Sequence, residues 1–141
     1  MASIHKEIRI AAAPETVWAA LRDVGALHTR LVPGFVTDTR LEEGARVVTF
    51  GNGMVARELI VSVDDERRRV AWAVVGGSMS HHNASAQVFA DGAAACRFVW
   101  IADLLPDAAA PSIAAMIDAG MAVIKPTLER AERESAQRGA A

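Results

Sequence analysis

Residues 109–141 read "AAPSIAAMIDAGMAVIKPTLERAERESAQRGAA". With Pro111 as a pre-organised early helical position, Ile113, Met116, Ile117, Met121, Ile124 and Leu128 recur at three- and four-residue intervals, and Gly120 falls in the same stripe. This is one face of an amphipathic helix. The other side carries Asp118, Lys125, Glu129, Arg130, Glu132, Arg133 and Glu134, which read as solvated. Pro126 removes the amide that would bond to the carbonyl of Ala122, so the helix is expected to bend there without ending. The polar tail from Ser135 to Ala141 is expected to fray. A helix with one apolar stripe must bury it against another layer, and the preceding sequence reads as a sheet.

"SIHKEIRIAA" alternates Ile4, Lys6, Ile8 and Ile10 with His5, Glu7, Arg9 and Ala11, which predicts a half-buried strand over residues 3–11. Pro14 opens "PETVWAALRDV", a short helix burying Val17, Trp18, Leu21 and Val24. Gly25 interrupts it, and "ALHTRLV" reads as a second short helical turn before Pro33 and Gly34. From Phe35 the period becomes two: "FVTDTRL", "ARVVTF", "MVARELIVSV", "RVAWAVV", "NASAQVF" and "ACRFVWIADLL" are strands. Glu42 to Gly44, "GNG" at 51–53 and "DDERR" read as tight turns, the glycines and asparagine of "GNG" tolerating positive φ. "GGSMSHH" reads as a looser loop that includes His81 and His82. Short connections favour an antiparallel meander. The expected architecture is α+β, a single domain over residues 1–141 with two short helices after the first strand and a long helix at the end.

A chain of 141 residues closes a core without disulfides or metal. A net charge of -2, with no long block of like charge, gives no electrostatic footing for nucleic acid. The lone Cys96 excludes an internal disulfide framework and suits a reducing compartment. No signal-peptide-like segment opens the sequence, and no apolar run reads as a membrane span, so a cytoplasmic location is expected.

Four strings carry a resemblance to a known family: "APETVWAALRDV", "LVPGF", "VARELIVSVDDERRRVAWAVV" and "CRFVWIADLLP". Together with the element order they resemble the START-like (SRPBCC) superfamily, in particular its bacterial polyketide cyclase/dehydrase-type branch, related in fold to Bet v 1. The resemblance implies a helix-grip fold, in which a curved antiparallel sheet wraps around the long C-terminal helix and leaves an apolar cavity with a few polar groups. Members include lipid carriers, cyclases, hormone receptors and co-chaperones, so the fold constrains function weakly. Leu31 and Ala84 stand where the family commonly has aromatics, and both are smaller.

Trp72, Phe98 and Trp100 lie on apolar strand faces and either pack the core or line a cavity. Met116, Ile117, Gly120 and Met121 lie on the helix face that meets the sheet, the methionines being side chains that adapt to variable shapes. Leu31 and Asn83 complete the ligand-pocket candidates, with Glu58. Arg57 and Glu58 are adjacent in one strand and point to opposite faces, and the apolar pattern fits either register. His28, Glu58 and Asp103 are the acid–base candidates, and His81 and His82 either gate a cavity or decorate a turn. Cys96 reads as an inert buried residue. No metal spacing, phosphate loop or dinucleotide fingerprint is present, so no metal or cofactor is expected. Three functions fit: binding of a small apolar molecule, a polyketide cyclase/dehydratase-like enzyme, and a self-associating module burying an apolar patch in a homodimer.

Overall fold

The computed structural model describes residues 1–140. In chain order it forms β1 (Ala2–Ile10), α1 (Pro14–Arg22), a single π-helical turn (Leu27–Leu31), β2 (Val36–Glu42), β3 (Ala45–Phe50), β4 (Val55–Asp64) and β5 (Arg69–Val75). Then come β6 (His81–Ala90), β7 (Cys96–Leu105), a 3₁₀ turn (Asp107–Ala109) and α2 (Ala110–Ala140). The strands make one seven-stranded sheet in the order β1-β7-β6-β5-β4-β3-β2, antiparallel throughout. Strands β2 to β7 are a meander, and β1 closes the far edge against β7.

The sheet is curved, and α2 lies in its grip. Ile117, Met121, Ile124 and Leu128 are at most 4% exposed and form one cluster with Ile4, Ile10, Val70, Val88, Phe98 and Leu104 of the sheet. The three- and four-residue spacing read from the sequence is thus the packing stripe. In β7 the alternation also holds: Cys96, Phe98, Ala102 and Leu104 are buried on the concave side.

Four expectations are corrected. Strand β6 starts two residues earlier than the sequence suggested, because His81 and His82 pair with Leu105 and Leu104 of β7. The glycine-rich loop ends at Ser80, whose amide bonds to the Leu105 carbonyl. Glu129 and Glu132 are not merely solvated. Glu132 accepts from the Ala13 amide at 3.0 Å and the Thr16 hydroxyl at 2.6 Å, and Glu129 from the Ala11 amide at 2.8 Å, pinning the start of α1 to α2. The polar tail from Ser135 is drawn into the helix, which runs unterminated through Pro126 and on to Ala140, Ala141 lying outside the described residues. By length and composition α2 also matches a membrane span, with mean hydropathy 1.4 over 18 residues, although its apolar stripe is the face packed on the sheet. A fifth point refines the turn at "GNG". Only Gly53 has positive φ there (+88°), while a Cβ on Gly51 would sit 2.5 Å from the Gly34 carbonyl oxygen, so Gly51 permits a close backbone approach.

The open register of β4 is resolved. Glu58 faces the concave interior at 7% exposure, and Arg57 points outward to Glu42. A bulge between Ile60 and Ser62 then leaves Val61 and Val63 exposed.

Candidate functional site

Between α2 and the concave face lies a cavity whose inner wall follows from the elements just described. The π-helical turn is closed by a bond from the Val32 amide to the Leu27 carbonyl (2.8 Å), and Leu27 and Leu31 both line the cavity with Leu21 of α1. The sheet contributes Val48, Trp72, Ala84, Ala86 and Phe98, all buried. Half-buried Phe35, Phe50, Val74, Trp100 and Met116 form the outer end. Phe35 and Phe50 meet edge to face at 5.6 Å, a contact fixed by the Gly51 amide bonding to the Phe35 carbonyl. Trp72 and Trp100 make a second edge contact at 6.1 Å. The free space is small, about 60 Å³.

Against this apolar lining stands a row of polar side chains. Arg46 pairs with Glu58 across β3 and β4, and Glu58 with Val74 across β4 and β5. The β5–β6 pairing ends at Ala73 and Asn83, and His82 is the next residue of β6 beyond it, paired to Leu104 of β7. Arg46 donates from Nε to Glu58 Oε1 at 2.8 Å and from Nη1 to the Val24 carbonyl, and its guanidinium lies 5.3 Å from the Trp72 ring centre. The pair is almost wholly dry, with side-chain exposures of 4% and 9%. Burial pushes the Glu58 carboxyl above the ordinary carboxylate range, and the Arg46 charge pulls it back. Glu58 Oε2 takes no hydrogen bond among the described residues. His82 is 7% exposed, and its Nδ1 is buried with no partner. Burial, reinforced by the neighbouring His81 charge, pushes the His82 pKa below 6.5 and favours the neutral ring.

The site brings together Leu31, Glu58, Trp72, Phe98, Trp100 and Met116 from the sequence candidates. Ile117 and Met121 belong to the packed core beside it rather than to its lining. Gly120 packs against the wall from outside, where an added Cβ would meet Trp100 Cζ3 at 3.0 Å and Phe35 Cε1 at 3.4 Å. Three candidates are misplaced. Asn83 is exposed, and Asp103 faces away because it alternates with the buried Ala102 and Leu104. His28 lies outside the cavity, its Nδ1 3.1 Å from the Thr39 hydroxyl. The proposed cluster of His28, Asn83 and Asp103 at a cavity mouth does not form. Sequence reasoning missed Arg46, Phe35 and Phe50 as lining residues, although Arg46, Val48 and Phe50 share one face of β3 at period two. It left His82 in a loop, although His82, Ala84, Ala86 and Val88 follow the same alternation. No group of three His, Cys, Asp or Glu side chains suited to a metal occurs among the described residues.

A curved antiparallel sheet gripping a C-terminal helix over an apolar cavity defines the helix-grip class. The chain belongs to the family described as "Polyketide cyclase / dehydrase and lipid transport", which it matches over residues 1–134. A search of curated proteins returns no match. Among solved structures, a protein from Bacillus thuringiensis has TM-score 0.81 at 14% identity, covering 90% of this chain and 98% of its own. Norcoclaurine synthase from Thalictrum flavum, solved with dopamine and hydroxybenzaldehyde, has TM-score 0.70 at 21% identity, covering 94% and 87%. The di-domain ARO/CYC BexL from the BE-7585A biosynthetic pathway has TM-score 0.74 at 16% identity, covering 92% of this chain and 47% of that one. At these identities the likenesses establish the fold.

Proposed function

We propose that the protein binds a small, largely apolar organic molecule between α2 and the sheet. The observation that carries this reading is the concentration of aromatic side chains there: Phe35, Phe50, Trp72, Phe98 and Trp100 are five of the seven Trp and Phe residues in the chain, which has no Tyr. Packing alone does not require five rings around a row of buried polar groups. That mixture, an apolar wall with a few fixed polar groups, is the chemistry of a small-molecule site.

The size of the space sets a condition on this reading. About 60 Å³ falls short of the roughly 150 Å³ that holds a benzene in an engineered cavity and of the roughly 300 Å³ at the low end of ligand pockets. Binding therefore needs the wall to move. Met116, with three rotatable side-chain bonds, and the half-buried rings of Phe35, Phe50 and Trp100 are the parts free to do so, since the rest of the lining named above, Val74 apart, is buried. Native mass spectrometry of gently purified protein, followed by titration with apolar molecules of graded size, tests the proposal. Saturable one-to-one binding with a size cut-off is the expected result. Failure of every member of the series to bind would remove it.

A cyclase- or dehydratase-like activity on a similar substrate is the second reading, and one observation favours it: two ionisable groups suited to proton transfer, Glu58 and His82, stand beside Arg46 in a largely apolar space. Of the acid–base candidates read from the sequence, Glu58 alone lines the cavity. Turnover falling in both Glu58→Gln and His82→Phe by more than their affinity for the same substrate falls would support catalysis; turnover unaffected by both would reject it.

A further inference from the structure

Resting on the cavity as a ligand site, we infer that its ligand carries a hydroxyl group that hydrogen-bonds to His82, with the unused oxygen of Glu58 as its second partner. His82 lines the cavity, is 7% exposed, and has a buried Nδ1 with no partner among the described residues. A buried polar atom left unpaired carries a desolvation cost that a bound molecule's hydrogen bond removes. Glu58 lines the same cavity from β4, two strands from the β6 strand that carries His82. Its Oε1 is taken by Arg46 and its Oε2 accepts nothing.

Donor and acceptor counts select the group. Neutral imidazole offers one N–H and one lone pair, and a carboxylate only accepts. A hydroxyl has one hydrogen to donate to Glu58 and lone pairs to accept from His82, so it satisfies both at once. A carbonyl or ether oxygen has no hydrogen for Glu58. An anionic ligand is disfavoured because the Arg46 charge is already matched by Glu58, and a cationic one would meet Arg46 itself. The depressed pKa of His82 agrees with a neutral ring in this role.

Three probes of nearly one shape test the inference on the intact protein: toluene, p-cresol and p-methylanisole, with affinities from calorimetry and the His82 ring nitrogens followed by ¹⁵N NMR. An apolar cavity without polar partners favours toluene, because transferring a hydroxyl out of water is costly unless it is bonded again. The expected result is p-cresol binding about tenfold or more tighter than toluene, p-methylanisole falling back toward toluene, and the His82 nitrogen signals moving with p-cresol alone. In His82→Phe the advantage of p-cresol should disappear while toluene still binds. Should that variant not fold, the nitrogen shifts in the unaltered protein decide the matter. Equal affinities for p-cresol and toluene, with unmoved His82 signals, would overturn the hydroxyl inference and leave the cavity standing. Absence of binding by all three probes would overturn the cavity reading and this inference with it.

Discussion

Arg46 and Glu58 show how much a single side chain decides in this interior. Each is nearly dry, and each is tolerable only because of the other: a lone buried charge costs more than the pair contributes. Arg46→Ala or Glu58→Ala should each lower unfolding free energy by about 3–5 kcal/mol, whereas the double replacement Arg46→Met with Glu58→Leu should recover most of the loss, as chemical denaturation would show. Additive losses in the double variant would mean that the pair is not coupled. His82 makes a second residue-scale prediction. Its pKa is depressed in the fold, so below the ordinary value of 6.5 the unfolded chain binds more protons than the native one. The stability due to its neutral form is present above that value and is lost as pH falls toward the folded pKa. Denaturation curves from pH 7.5 down to pH 5 should therefore fall more steeply for the unaltered protein than for His82→Gln, and parallel curves would contradict this. Neither residue was fully legible in the sequence. Glu58 was flagged because a charge interrupts an apolar strand, but its facing was open, since both faces of β4 carry apolar residues and a bulge breaks the alternation. His82 was hidden by the glycine- and serine-rich residues before it, a composition that argues for a loop until the pairing with Leu104 is known.

At the scale of elements, periodicity did most of the work. The stripe of α2 was readable because burial on one side imposes a helical period, and Ile117, Met121, Ile124 and Leu128 follow it. The hairpins were readable because their turns are short. What periodicity does not encode is how one element leans on another: the carboxylates of Glu129 and Glu132 looked solvated, yet they bond to amides at the start of α1. Gly120 shows the same limit. On the sequence it is a gap in the apolar stripe, and only the fold reveals that the gap seats the Trp100 ring, 3.0 Å from where a Cβ would lie. Gly120→Ala sets two effects against each other. The helix gains about 1 kcal/mol of propensity, and the crowded indole must shift by a few tenths of an ångström toward the cavity. Because Trp100 is half-buried and free to give, unfolding free energy should change by less than about 1 kcal/mol, while affinity for toluene should weaken by up to about tenfold. A large loss of stability with unchanged affinity would place the indole in rigid core instead.

For the whole molecule, the central issue is whether a space of only about 60 Å³ widens to admit a ligand between α2 and the sheet. The fold itself was legible from element order and the resemblance, since seven antiparallel strands and a terminal helix leave few ways to bury one apolar stripe. The polar content of the cavity was not, because it depends on which strand faces meet across the three hairpins from β3 to β6. The five methionines report on opening from different places: Met116 lines the cavity, Met79 and Met121 pack near it, and Met1 and Met54 are each 65% exposed. The most direct measurement is a methyl NMR titration of methionine-labelled protein with toluene and then naphthalene. Binding in the cavity predicts saturable shifts at Met116, smaller ones at Met79 and Met121, and none at Met1 or Met54; a Met116 signal that stays fixed while Met1 or Met54 moves would contradict it.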